Sequence, residues 1–235
     1  NPERAFRLFL RAAKKGHAES MCNVAVMRYR GIGCTTTLAH LADPMAHARE
    51  ALATLHTVAA SGSPGAVAAA MNNIALINFR VGARDGVLKM LTEASKTGLV
   101  AALTNCAVVL LMSHKTAVPK AAIDLLVAAF KAGDSYAAYN LFVCCFRGVG
   151  VPRSFTRAVF FLHRSRGIPH AAHNLGFLKH RVVPEDETAR EQAVAHYAEA
   201  ARAGVVESEV NLAVGLLHRE FPARSADDTM RAVLK

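Results

Sequence analysis

The sequence predicts an all-α chain of about six helix-turn-helix repeats, and three observations carry that reading. First, six asparagines recur along the 235 residues, Asn23, Asn73, Asn105, Asn140, Asn174 and Asn211, at spacings of 50, 32, 35, 34 and 37. Three residues before each stands a small residue: Ser20, Ala70, Ala102, Ala137, Ala171 or Ser208. Second, a glycine stands seven residues before five of them: Gly16, Gly98, Gly133, Gly167 and Gly204, while the second copy has Gly65 one place early. Third, 45 residues are Ala, the strongest helix former and one that lets backbones approach closely. No alternating period-2 segment competes with these patterns.

Each copy divides into a helix A, which the Gly ends by supplying a left-handed residue, and a helix B, which carries the Asn. The expected copies run over residues 3–33, 44–82, 86–114, 119–150, 154–181 and 188–219, as one domain over 1–235, with a further helix starting at 226–235. Helix A is expected at Ala5–Lys15 in copy one and Phe155–Arg166 in copy five. Start signals fit this division. Asp43-Pro44 and Val118-Pro119 precede helices A of copies two and four, Ser154 is placed to cap copy five, and Thr188-x-x-Glu191 reads as a capping box for copy six. In helix B the small residue at −3 and the one at +2 (Ala25, Ala75, Ala107, Gly176 or Ala213, with Phe142 the exception) lie about 140° apart. Such a helix can be approached closely on two sides, as an inner helix must be. The residues between copies one and two, Cys34 through Ala42, form an insert, and insertions in helical repeats map to loops on one face.

The run Gly133-x-x-x-Ala137-x-x-Asn140-Leu141, continuing through Arg147-Gly148-Val149-Gly150-Val151-Pro152 to Arg157-Ala158, resembles the Sel-one-like repeat (SLR) family. That family's pattern is G-x-A-x-A-x-x-N-L-G, then G-x-G-V, then K-A. Copy one matches it with Gly16-His17-Ala18-Glu19 and Gly31-Ile32-Gly33, and copy five with Asn174-Leu175-Gly176. Copies two, three and six lack the G-x-G turn. The resemblance implies a right-handed α-α superhelix, a solenoid of tetratricopeptide-like helix pairs whose concave face binds other proteins. Residues 157–175 are also similar to a pentatricopeptide repeat, which reads single-stranded RNA. That family has a longer gap between its Gly and Asn and no G-x-G turn, so it stands second.

Composition sets the function classes. At 52% hydrophobic and 20% charged, the chain can bury a sizeable core without disulfides. Its uncharged stretches, 51–79 and 97–114, carry Ser61-Gly62-Ser63-Pro64-Gly65 in the first and Thr104, Asn105 and Ser113 in the second, so no membrane span is expected. Five cysteines without a CxxC (Cys22, Cys34, Cys106, Cys144 and Cys145) read as buried apolar groups in a reducing, intracellular compartment. The chain begins Asn1-Pro2, as a trimmed piece would, so a lost leader leaves no trace; the Ala- and Arg-rich composition is compatible with mitochondria. No phosphate loop, dinucleotide fingerprint or H-E-x-x-H is found. His170, His173 and His180 fall on one helix flank with His163 nearby, and are assigned to a basic surface rather than a metal site. No catalytic residue, cofactor, metal or small-molecule substrate is expected.

The formal charge of +10 is unevenly spread. Residues 1–184 hold 22 Lys and Arg against 8 Asp and Glu; residues 185–235 hold 6 against 10. From Ser135 to Pro184 there is no acidic residue, whereas Arg147, Arg153, Arg157, Arg164, Arg166, Lys179 and Arg181 fall there. Helix A of copy one adds a stripe of Arg4, Arg7, Arg11 and Lys14 opposite Phe6, Phe9, Leu10 and Ala13. These eleven cations are the candidate surface for a polyanion or acidic partner, since Arg and Lys supply most phosphate contacts. Phe155, Phe160, Phe161 and Phe177 are at helical spacing and are assigned to the core, which leaves no stacking platform for bases. The repeated Asn and Gly are assigned to architecture, the Asn as buried amides bonding a neighbouring helix or turn. Together these readings predict a non-enzymatic scaffold or adaptor, contacting other proteins in a multi-subunit assembly, with a ribonucleoprotein such as a ribosome as its setting and RNA as a further ligand of the basic face.

Overall fold

The computed structural model describes residues 1–34, 44–113, 119–182, 186–218 and 220–221, without the side chains of Pro44, Met45, His47 and Val182. Among these residues there are twelve α-helices and no strand: α1 (Pro2–Ala13), α2 (Ala18–Arg30), α3 (Pro44–Ser61), α4 (Pro64–Arg80), α5 (Val87–Lys96), α6 (Val100–Ser113), α7 (Lys120–Lys131), α8 (Ser135–Arg147), α9 (Phe155–Leu162), α10 (Pro169–Val182), α11 (Glu187–Arg202) and α12 (Val206–Leu217). Odd-numbered helices correspond to the expected A members and even-numbered ones to the expected B members. The insert from Thr35 to Ala42, Asp43, Val118 and the expected helix at 226–235 lie outside the described residues.

The repeat glycines stand where the chain needs a left-handed residue. Gly16, Gly98, Gly133, Gly167 and Gly204 all have φ between 74° and 90°, a region closed to most side chains. Both G-x-G turns are left-handed as well, at Gly31, Gly33, Gly148 and Gly150. Gly33 has a second constraint, because a Cβ there would lie 2.3 Å from the Pro2 carbonyl oxygen at the start of α1. Copy two turns differently. Gly65 lies inside the first turn of α4, and Ser63 caps that helix by accepting from the Ala66 N–H at 3.4 Å.

Capping confirms one expected start and moves another. Ser154 Oγ accepts from the Arg157 N–H at 3.4 Å, as anticipated. The start of α11 is two residues earlier than Thr188: Asp186 accepts from the N–H groups of Thr188 at 2.9 Å and Ala189 at 3.3 Å. An Asp carboxylate at this point meets two orphan donors and the positive helix end together, so Thr188 is left inside the helix. Helix A of copy five is also shorter than expected. It ends at Leu162, and the chain continues through three-residue turns from Phe161 and Leu162, with Ser165 Oγ donating to the Phe161 carbonyl at 3.0 Å.

The described chain forms two compact units, 1–132 and 133 onwards. In the first, every helix packs on the next, and the B helices α2, α4 and α6 also touch in sequence. Its core is aliphatic: Leu55, Leu91 and Leu126 are fully buried, with Ala48, Ala51, Ala66, Ala70 and Ala75 letting the backbones close in. In the second unit α8 packs on α9, and α10 packs on α11, which packs on α12, while α9 and α10 barely meet. Tyr197 is wholly buried there, its ring so near Gly176 that a Cβ would lie 2.9 Å from it. Phe221 lies over Gly215, leaving no room for a side chain, and packs 4.7 Å from the ring of His180.

The small residues at −3 are buried in all six copies. Those at +2 are buried in copies one to five, including Phe142, but Ala213 is exposed on the last described helix. Cys22, Cys106, Cys144 and Cys145 are buried thiols as expected, and Cys34 is half-buried. Burial pushes the Cys22 and Cys144 thiols up to about 11.

Candidate interaction surface and aromatic cleft

The recurrent asparagines are not buried amides. Asn23 is exposed and the other five are half-buried. Their bonds differ from copy to copy: Asn105 Nδ2 donates to Asn72 Oδ1 at 2.9 Å, Asn174 Nδ2 reaches the Tyr139 hydroxyl at 3.4 Å, and Asn140 Nδ2 returns to the Tyr136 carbonyl of its own helix at 2.8 Å. The buried member in copy two is Asn72, which also donates to Asn73 Oδ1 at 3.4 Å. A position one residue from the buried stripe of helix B lies at its edge. That is why the amides link neighbouring helices in some copies and face outward in others.

The candidate cations sit on the surface. Arg4, Arg7 and Arg11 on α1 and Lys14 at its C-cap are exposed, and Arg7 pairs with Glu3 at 3.7 Å. In the second unit Arg147, Arg153, Arg157, Arg164, Arg166 and Arg181 are exposed and Lys179 is half-buried. Only Arg181 has a carboxylate within reach among the described residues, Glu220 at 3.9 Å. The charges of that unit therefore remain available to a partner. The two groups of cations belong to different units.

The histidines of α10 go separate ways. His173 Nδ1 bonds Ser208 Oγ at 2.8 Å, His180 Nε2 bonds Glu220 Oε2 at 2.8 Å, and His170 is exposed. His180 is buried rather than part of a basic surface. Burial lowers the pKa of both His173 and His180, Glu207 opposing it for the first and Glu220 for the second. Among the described residues no three His, Cys, Asp or Glu side chains gather as metal ligands would.

The phenylalanines depart most from expectation. Phe161 is core, but Phe155 is 53% exposed, Phe177 49% and Phe160 45%. Phe146 joins them at 41%. Phe160 carries the Arg164 guanidinium 3.6 Å above its ring, and Phe146 has that of Arg153 at 5.8 Å. Helical spacing alone cannot tell a ring that meets a neighbouring helix from one that meets a gap. Here there is a gap. Because α9 and α10 barely meet, a cleft of about 480 Å³ opens between α8, α9 and α10. Phe142 and Phe146 line it from α8, Phe155, Val159 and Leu162 from α9, and Phe177 and Leu178 from α10. Its polar members are His173 and Asn174.

With that geometry in place, comparison with known proteins identifies the repeat. The Sel1 repeat family model matches residues 1–17, 18–37, 135–165 and 169–205. These segments are Sel1 repeats. The latter two matches cover α8 with α9 and α10 with α11, so the aromatic cleft lies where two Sel1 repeats meet. No curated protein matches the chain in sequence. Several solved structures share its fold, among them the following two. One is a protective antigen present in uropathogenic Escherichia coli strains that displays an SLR fold, at a TM-score of 0.60 and 16% identity over 99% of this chain. The chain spans 56% of that antigen's length. The other is a Sel1 repeat protein from Oxalobacter formigenes, at a TM-score of 0.58 and 16% identity, covering 83% of this chain and 79% of that one. Sel1 repeats are a scaffold type that generally mediates protein interaction, and no helix among the described residues is long and apolar enough to cross a membrane.

Proposed function

We propose that this chain is a non-enzymatic interaction scaffold, a subunit or assembly factor of a larger ribonucleoprotein such as a ribosome. The observation that carries the reading is the acid-free stretch of residues 135–182, whose exposed arginines Arg147, Arg153, Arg157, Arg164 and Arg166 have no carboxylate partner among the described residues. Unpaired cations on a rigid helical frame attract a polyanion or an acidic protein and steer its approach. The Arg4, Arg7, Arg11 and Lys14 stripe offers a second surface of the same sign. Five thiols with no disulfide suit a reducing compartment, and mitochondria are a setting consistent with the composition.

Direct contact with single-stranded RNA is a second reading, favoured by the exposed Phe160 with Arg164 stacked on it. Purification of the native complex with and without nuclease separates the two. A protein scaffold keeps its partners after nuclease and in moderate salt. An RNA-bound subunit loses them, and its RNA affinity falls steeply with salt and on Arg153→Glu/Arg157→Glu/Arg164→Glu. Retention of no partner under either condition would overturn the scaffold reading.

A further inference from the structure

We propose that the cleft between α8, α9 and α10 is a docking groove for an acidic segment of a partner protein that inserts two or more large apolar side chains. The inference rests on the scaffold reading and assigns that scaffold a particular site and ligand chemistry.

The cleft arises from a local failure of helix packing. Helix α9 has eight residues and barely meets α10, so Phe155 and Val159 on its apolar stripe border open space. The α10 stripe of Phe177 and Leu178 faces the same space, and α8 closes it with Phe142 and Phe146. Three aromatic rings at the opening, those of Phe146, Phe155 and Phe177, are between 41% and 53% exposed. Leaving such rings in water forgoes about 25 cal/mol per Å² of apolar surface, which a ligand's side chains can recover. The volume of about 480 Å³ lies in the range of formed ligand pockets, roughly 300–1,000 Å³.

Chemistry favours a protein segment over RNA here. None of the lining side chains is an acid, Lys or Arg, and each of the two polar ones already commits one group, His173 Nδ1 to Ser208 and Asn174 Nδ2 to Tyr139, so little is left to read base edges. Flipped bases need free donors and acceptors for their edges as well as a stacking face. Aliphatic or aromatic anchors need only the apolar floor. The rim supplies the charge preference: Arg153 stands over Phe146 at the lip, and Arg147 and Arg157 are exposed on the two helices that form it. Arg147, Arg153 and Arg157 have no carboxylate partner among the described residues, so Asp and Glu flanking the anchors would each find a guanidinium, while the acid felt by the lining is Glu207 at His173.

The test is selection of a random 16-residue peptide display library against the intact chain, followed by fluorescence anisotropy with the enriched peptides. The enriched peptides are expected to be net negative with at least two large apolar residues. Their affinity should fall about tenfold or more on Phe177→Glu, and again on Arg153→Glu/Arg157→Glu. Both ring positions are half in solvent, so Phe155→Ser replaces Phe177→Glu if circular dichroism shows the latter misfolded. Failure to enrich peptides, enrichment of neutral or basic ones, or binding indifferent to the cleft variants overturns the proposal. A labelled 15-nucleotide oligouridylate runs in parallel; if its binding, rather than the peptides', is what Phe177→Glu removes, the cleft is a base-stacking site and the proposal is wrong. A failed cleft leaves nuclease-resistant partners in place, whereas a failed scaffold reading removes them.

Discussion

The two compact units are made from the same helical repeat and fill it differently. The first is closed. Alanines bring its helices together, Leu55, Leu91 and Leu126 occupy the remaining space, and successive B helices touch. The second relies on large rings. Tyr197 and Phe221 fill notches at Gly176 and Gly215, but between α9 and α10 the rings outnumber the surfaces available to cover them. A repeat can therefore keep its glycines, its turns and its small-residue positions while changing from a sealed stack to one with an opening. Packing follows from the pairing of side chains across helices, which the repeat pattern leaves free.

The largest test of that contrast sets a buried leucine against an exposed ring. Leu55→Ala should cost about 2–5 kcal/mol, because the sealed unit cannot collapse onto the cavity. Phe177→Ser removes a larger side chain but should cost under about 1 kcal/mol, since the ring already faces water. Urea-unfolding midpoints of the two variants check this, and equal losses would erase the distinction. Next in size, Gly176→Ala should cost about 1–3 kcal/mol through overpacking against Tyr197, measured the same way. Asp186→Ala should follow at about 1 kcal/mol, with Thr188→Ala well below it. The reverse order would return the helix start to Thr188.

Acid should separate the units by a smaller amount. His173, His180 and His196, all in the second unit, have pKa values lowered in the fold, burial being the first cause in each case. A histidine with a lowered folded pKa resists protonation in the native state. Its contribution is thus complete above the unfolded value near 6.5 and is lost as pH falls through the folded value. Melting of the second unit should drop between pH 7.5 and 5.5, and His173→Gln/His196→Gln should reduce that drop. The smallest effect concerns reactivity alone. Cys34 is the thiol expected to take iodoacetamide readily in the folded chain, with the four buried ones tagged only after unfolding, as intact mass would show.

How much of this was legible in the sequence depends on whether a position's role is local. Left-handed glycines, the Ser154 cap and the small residues at −3 are set by backbone geometry within a few residues, and all stand where the pattern puts them. Thr188 misled because a capping box and an Asp cap share neighbouring residues, and the stronger acceptor two places earlier took the donors. The Asn edge and the Phe rings misled for a different reason. Burial of Asn174 or Phe177 depends on how closely other helices approach, and α9 barely meets α10, which leaves Phe177 half exposed. The unpaired arginines were visible as an absence of acid, whereas the cleft beside them had no signature in any single segment.

The amide bridge from Asn105 to Asn72, passed on to Asn73, joins two inner helices without using a charge. A coupling of this kind is indifferent to ionic strength and to pH over the physiological range. The first unit can thus hold its inter-repeat spacing while the counterion cloud around the arginines thickens or thins. At this joint salt acts on what is bound rather than on how the two helices are held.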